Sequence, residues 1–362
     1  MKKTDFYDIH VANDAKIVSY AGYSMPIHYK GGIIHEHKVV RGKVGIFDVT
    51  HMGEFKVVGP QALDLVQKIT INDASKLNRW DAQYSAMCYE DGGIIDDLLV
   101  YHMGPDGYLL VVNGANMEKD FNWVVKQAEG MDVEVMNQTD EIHLLAIQGP
   151  NSLDVLNPLT EIDMSVIPFY KFREGMFCDE YSLVSRTGYT GELGYEIYFR
   201  NNKATAERIW NQIIEAGKEY GIEPVGLGAR DTLRLEKGYA LYGNDIDETT
   251  NPIEAGLSWI TKLNKGDFIG RDALLKIKED KPKRRLVGFI VDADKFIARQ
   301  GYKIYSGDQE IGVVTSGNLS PSLNVPVGMA YVNSEFRDPG TTIEIDRKGK
   351  RFSATVKKMP LL

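Results

Sequence analysis

Carboxylates in an apolar setting are the first feature of this chain that could do chemistry. In Met87–Tyr101, Asp91-Gly92 marks a hairpin turn, and the strand after it runs Ile94-Ile95-Asp96-Asp97-Leu98-Leu99-Val100-Tyr101. Successive strand residues point to opposite faces, so Asp96 shares one face with Ile94, Leu98 and Val100, and Asp97 shares the other with Ile95, Leu99 and Tyr101. A buried carboxylate is costly unless a donor or a ligand meets it. Both could accept backbone N–H groups near the turn, and one of the two is expected to do so. They cannot both line one cavity unless the strand is bulged.

Two more segments gather polar groups. Ser185–Glu196 places Gly188, Gly191 and Gly194 at every third position, which permits close backbone approach around Tyr189, Glu192 and Glu196. Gly228–Glu236 reads as a helix with Arg230 and Arg234 on one face, where ordinary helix salt bridges are the plain alternative.

Other chemistries find less support. The only close histidine pair is His35-Glu36-His37, and residues two apart on a helix diverge, so a solvated helix face is expected and no metal site. Cys88 and Cys178 lie in strand-like segments without a local base and read as inert buried thiols. Gly226-Leu227-Gly228-Ala229-Arg230-Asp231 lacks the third glycine of a dinucleotide loop and follows a long helix, so that reading is rejected.

The elements that must position these residues come in a repeat. Glu54–Val58 runs into Gly59-Pro60, and His143–Ile147 leads after Gln148 into Gly149-Pro150, each pair ending a strand where a helix opens. A Tyr-Ser pair follows in each half, at Tyr84-Ser85 and Tyr181-Ser182, and then an amphipathic helix with Trp123 before Gly130 or Trp210 before Gly217. Each copy reads strand, helix, strand, strand, helix, strand, the split pattern of a ferredoxin-like module. Beyond Leu286, short apolar runs separated by turn residues predict a small all-β barrel or sandwich. The charged run Lys278–Arg285, with its central Pro282, predicts an exposed linker before it.

Composition narrows the class. The 362 residues carry 51 acidic against 42 basic side chains, a net charge of -9, which argues against general nucleic-acid binding. No run approaches the roughly 18 apolar residues of a membrane span. Two cysteines are too few for a disulfide scaffold, and the opening Met1-Lys2-Lys3-Thr4-Asp5 has no apolar stretch, so a cytoplasmic protein is expected.

Taken together, Phe47–Glu54, Gly92–Leu98, Ser185–Glu196, Gly226–Glu236, Leu241–Asp245, Asn251–Trp259, Phe268–Arg271, Thr315–Gly317 and Ser320-Pro321 resemble the aminomethyltransferase family, the T-protein of the glycine cleavage system. The resemblance implies an α+β cloverleaf of three domains: a first folate-binding lobe over residues 1–140, a second over 141–277, and a C-terminal β-barrel over 286–362. It implies tetrahydrofolate as one-carbon acceptor, a lipoylated H-protein as donor partner, and release of ammonia to give 5,10-methylenetetrahydrofolate. By resemblance Asp97 is the carboxylate beside folate N10, Glu196 and Arg230 bind the pterin, and Tyr84, Leu99, Asn113, Tyr189 and Tyr239 line the cavity. A carboxylate can accept the pterin's paired N–H groups, a guanidinium can donate to its carbonyl side, and aromatic rings pack the flat heterocycle. Two departures stand out. The chain stops at Lys358–Leu362 where many relatives extend into a Tyr-bearing tail, and Thr50 replaces a common Ser. A folate-dependent demethylase is the nearer rival. A folate-binding accessory protein of iron–sulfur metabolism would carry a Cys where this chain reads Lys237-Gly238-Tyr239-Ala240.

Overall fold

The computed structural model describes residues 1–293 and 296–362. The chain opens with α1 (Tyr7–Ala12), the hairpin β1 (Lys16–Tyr20) and β2 (Tyr23–His28), α2 (Ile33–Gly42) and β3 (Val44–Asp48). The first repeat follows as β4 (Gly53–Val58), α3 (Ala62–Ile69), β5 (Ala82–Cys88), β6 (Ile94–His102), β7 (Tyr108–Val112), α4 (Met117–Ala128) and β8 (Glu134–Asn137). The second is β9 (Ile142–Gln148), α5 (Ser152–Leu156), β10 (Phe172–Phe177), β11 (Glu180–Ser185), β12 (Gly194–Arg200), α6 (Lys203–Gly217) and β13 (Ile222–Pro224), after which α7 spans Leu227–Lys237. Then come α8 (Arg271–Asp280) and the strands β14 (Arg284–Val291), β15 (Lys303–Ser306), β16 (Gln309–Ser320), β17 (Val325–Asn333), β18 (Thr342–Arg347) and β19 (Lys350–Lys357).

The duplicated α+β lobes are present, with three strands rather than two between the helices of each copy. The first sheet is ordered β5-β6-β7-β4-β8 and the second β10-β11-β12-β9-β3-β13. Gly59 and Gly149 mark the repeat most sharply. Their φ angles are +123° and +132°, and a Cβ at either would sit 2.7 or 2.4 Å from a backbone oxygen, of Asp132 or Lys43. Only glycine fits both places. The Tyr-Ser pairs are not equivalent, however: Tyr84-Ser85 lies in β5, the first strand of its triplet, and Tyr181-Ser182 in β11, the middle one.

Strand β3 pairs with β9 and β13 inside the second sheet. Val44 and Ile46 of β3 are buried in the core that packs this sheet against Ile209, Trp210 and Ile213 of α6. As compact bodies the chain divides into two units. One comprises Met1–Val66, Ala74–Tyr84 and Leu98–Asp231; the other comprises Gln67–Asp73, Ser85–Asp97 and Thr232–Leu362.

The barrel expected beyond Leu286 is closed, in the order β14-β17-β16-β15-β18-β19. Closure removes the free strand edges of a small sheet. Its interior is filled by Phe289, Ile304, Val314, Val332, Ile343 and Val356. The charged run before it is not a free linker. Lys278 to Asp280 end α8, and Arg284 and Arg285 begin β14. Arg284 grips Glu254 through Nε at 3.0 Å and Nη2 at 2.9 Å and lies over the Tyr331 ring, and Arg285 donates to the Ile253 carbonyl.

In the first unit the start of the chain is fastened by a buried carboxylate. Asp48 ends β3 and accepts from Thr4 Oγ1 at 2.6 Å, His10 Nε2 at 3.0 Å and the Thr50 amide at 3.0 Å. Tyr29 OH lies 2.8 Å from His10 Nδ1 on the other side of the imidazole. Burial alone would raise the Asp48 pKa, but the donors outweigh it and bring it from 3.8 down to about 2. A carboxyl depressed by folding contributes stability that is present above pH 4 and lost as pH falls through 2, here about 2 kcal/mol. Asp48→Asn is therefore expected to unfold in urea with at least that much less free energy at pH 7. Equal midpoints and slopes for the two proteins would refute the assignment.

Candidate functional site

Three of the expected site residues meet in the first unit. Arg230 lies on the first turn of α7 with its guanidinium carbon 4.7 Å from the centroid of the Tyr189 ring. Glu196 is the third residue of β12, only 7% exposed, and Thr187 Oγ1 donates to its Oε2. Burial raises the Glu196 pKa, while the Thr187 hydrogen bond and the nearby Arg230 charge lower it. Glu196 Oε1 takes part in no hydrogen bond among the described residues.

Two of these groups, Arg230 and Tyr189, are held by α2. Glu36 Oε1 accepts from the Tyr29 amide at 2.5 Å and Oε2 from the Gly226 amide at 2.9 Å, which fixes the entry to α7 and hence Arg230. Arg41 Nη1 donates to the Thr190 carbonyl at 2.6 Å and to Glu192 Oε1 at 2.9 Å, which fixes the loop that carries Tyr189. So His35-Glu36-His37 is not a solvated face. Glu36 and His37 are buried and only His35 reaches water, where it pairs with Glu223.

The glycine spacing in Ser185–Glu196 has a specific cause. A Cβ at Gly188 or Gly194 would fall 2.2 or 2.4 Å from the Gln148 side chain, which packs between them. That amide donates to the Thr187 carbonyl at 3.2 Å and accepts from Thr190 Oγ1 at 2.8 Å. Gly191 has φ +74° and turns the loop.

The remaining expected residues are placed as follows. Leu99 on β6, Tyr84 on β5 and Asn113 just after β7 belong to the first unit and are partly buried. Asp97 and Tyr239 belong to the second. Asp97 is partly buried whereas Asp96 is fully buried, as strand alternation requires. Tyr239 is exposed just beyond α7. Arg234 finds partners beyond its own helix. It is buried in the second unit, where it donates to Asp245 Oδ2 at 2.6 Å and Ser316 Oγ at 2.8 Å.

Cys88 and Cys178 are free and buried, and burial raises both thiols, Cys178 to about 12. Among the described residues no group of three or more His, Cys, Asp or Glu could hold a metal ion, and no helix is long and apolar enough to cross a membrane.

One residue near the site was not singled out by spacing. His51 is 3% exposed, its ring meets Tyr20 edge-on at 5.2 Å, and its Nδ1 has no hydrogen-bond partner among the described residues. Its place in Phe47–Glu54, beside the end of β3, was the only available signal.

The first unit thus brings a buried acceptor, a guanidinium and an aromatic ring together. The comparisons make this particular. Residues 6–265 match the GCVT N-terminal domain, and residues 284–362 match the glycine cleavage T-protein C-terminal barrel domain. The aminomethyltransferase of Halothermothrix orenii is 49% identical over 362 residues, 100% of each chain, and that of Bacteroides thetaiotaomicron is 51% identical over 364 residues, 99% of each. The crystal structure of glycine cleavage system aminomethyltransferase T from Bartonella henselae superposes with a TM-score of 0.93 at 33% identity, covering 100% of this chain and 98% of that one. The chain belongs to the aminomethyltransferase family, the T-proteins of the glycine cleavage system, and is an enzyme of that family.

Burial, with the Arg230 charge next in effect, lowers the His51 pKa from 6.5 to about 4. The unfolded ring binds a proton below 6.5 and the folded ring only near 4, so this residue withdraws stability as pH falls across that window, by up to about 3 kcal/mol. His51→Gln should therefore show a shallower loss of unfolding free energy between pH 6.5 and 4 than the parent. Parallel curves would show that His51 is not the group responsible.

Proposed function

We propose that this chain carries the one-carbon unit of an aminomethyl group from the lipoyl arm of H-protein to tetrahydrofolate, releasing ammonia and forming 5,10-methylenetetrahydrofolate. It does so in the cytoplasm. The observation that carries the reading is the cluster of Glu196, Arg230 and Tyr189 in the first unit. A pterin presents an amino group and a ring N–H on one edge and a carbonyl beside them, and Glu196 and Arg230 supply the complementary acceptor and donor. Tyr189, already against the Arg230 guanidinium, offers a ring face to the heterocycle.

In the reaction the carbon–sulfur and carbon–nitrogen bonds of the aminomethyl thioether break. Bonds from the carbon to folate N5 and N10 form, and the two folate protons end on the thiol and the ammonia. Asp97 is the proposed catalytic carboxylate. N10 is a weakly basic arylamine that must attack an electrophilic carbon and shed its proton. A fixed carboxylate orients that N–H, stabilises the developing positive charge and moves the proton. Tyr84, Leu99, Asn113 and Tyr239 are assigned to the cavity wall by family resemblance.

Truncating one member of the pterin pair leaves a buried polar group unmet, at about 1–3 kcal/mol. Calorimetry with tetrahydrofolate should show weaker binding by that amount in Glu196→Ala and in Arg230→Ala; parent-like affinity in both would sink the assignment. For the adjacent carboxylates, ammonia release from aminomethylated H-protein is the readout. Asp97→Asn should cut turnover by about 10²–10⁴-fold while changing folate affinity little. Asp96→Asn should act through stability instead. A dead Asp96→Asn enzyme beside an active Asp97→Asn one would reverse the assignment.

A further inference from the structure

Glu196 does not meet its ligand with a bare side chain. Thr187, 3% exposed, sits in the β11–β12 loop, and its Oγ1 lies within reach of three oxygens: Glu196 Oε2, Ser185 Oγ at 2.9 Å and Tyr101 OH at 3.2 Å. Tyr101 comes from β6 of the first sheet, is fully buried, and has Tyr198 OH 3.0 Å from its own hydroxyl. Ser185 stands opposite Glu196 in the β11–β12 ladder, and Tyr198 follows Glu196 by two residues on the same strand face.

Proton accounting orders this cluster. A threonine hydroxyl has one proton to give, and an ionised carboxylate is the strongest acceptor within reach, so Thr187 donates to Glu196. Tyr101 then donates into the Thr187 oxygen, and Tyr198 donates into Tyr101. From Tyr198 through Tyr101 to Thr187 each hydroxyl is used in one direction, toward the carboxylate, and such chains polarise cooperatively. The backbone of Thr187 is itself pinned by Gln148 Nε2 at its carbonyl. One carboxylate oxygen is thus oriented from behind, and Oε1 enters no hydrogen bond among the described residues.

We propose that Thr187 and Tyr101 are positioning residues for folate binding: their hydroxyl chain fixes the rotamer of Glu196 and keeps it an acceptor, so that it meets the pterin N–H edge. This rests on the reading of Glu196 as a pterin ligand and adds the residues that make it one. Thr187→Val keeps the volume and removes the hydroxyl, Thr187→Ser keeps the hydroxyl, and Tyr101→Phe keeps the ring.

Tetrahydrofolate binding, measured by calorimetry on the full chain, is expected to weaken about tenfold in Thr187→Val and several-fold in Tyr101→Phe, with Thr187→Ser restoring most of it. A structural role alone would not give the second readout. In a Glu196→Ala background, Thr187→Val and Tyr101→Phe should each cost nothing further, because they act only through the carboxylate. Additive losses in that background would overturn the proposal, as would parent-like affinity in both single variants. If melting shows Thr187→Val to be unfolded, the Tyr101→Phe cycle reads the same coupling. Unchanged affinity in Glu196→Ala itself would instead remove the pterin assignment, a separate and distinguishable failure.

Discussion

The Glu36 carboxylate is the constraint on which the site in the first unit depends. It is out of water, burial pushes its pKa up, and the backbone amides of Gly226 and Tyr29 hold it back. A hydrogen bond to a charged group contributes about 1.5–3 kcal/mol, and the penalty for leaving a buried carboxylate without one is of similar size. Satisfying it ties α2 to a segment 190 residues further along the chain, the one that opens α7. Arg41, on the same helix, ties α2 to the loop after β11. One short helix therefore sets where the Arg230 guanidinium and the Tyr189 ring can be.

Buried polar side chains do comparable work elsewhere. Asp48 collects donors from α1, the chain start and its own turn. In the second unit Asp245 takes Arg234 on one oxygen and both Thr315 and Ser316 on the other. The Lys265 ammonium is ringed by Gln67, Thr70 and Asn72 oxygens at 2.6 to 3.0 Å. Each group would be a liability if left alone. Each is met by partners distant in sequence, so a wrong register would strand it, which is how such groups discriminate against alternative folds.

What could be read in advance follows from which physics is local. The repeat was legible because a strand that must turn past a crowded carbonyl needs glycine, and Gly59 and Gly149 recur with that need. The barrel was legible from short apolar runs between turn residues, and Asp96 and Asp97 from strand alternation alone. Tyr84-Ser85 and Tyr181-Ser182 misled, since they lie on strands of different position in the two sheets, the first of one triplet and the middle of the other. Glu36 and His37 looked solvated because the amides that receive Glu36 are not in its own helix. The same holds for Arg284 and Arg285, whose partners lie some thirty residues earlier in the chain. Gly188 and Gly194 were visible as a pattern, but its cause, the Gln148 amide between them, needed the second sheet to be assembled.

Glu54 and Glu196 show what separates a site carboxylate from a core one. Glu54 on β4 lies in the same cross-strand row as Val111 and Leu99 and is fully buried, and neither of its oxygens has a hydrogen-bond partner among the described residues. Desolvation is the only influence on it and raises its pKa well above the ordinary carboxyl range, so burial favours the uncharged acid. Glu196 suffers the same desolvation, yet Thr187 and Arg230 pull its pKa the other way. The difference lies in the donors around each group. A carboxyl that must accept from a ligand has to be supplied with protein donors on its far side beforehand, because an acid stripped of donors keeps its proton and offers one acceptor fewer. Keeping Glu196 dry and only half satisfied costs stability in the empty protein. On the proposed pterin reading of Glu196, the ligand's paired N–H groups would offset that cost on binding, and a ring lacking them would leave the carboxylate as unmet as before, which is where discrimination between heterocycles would arise.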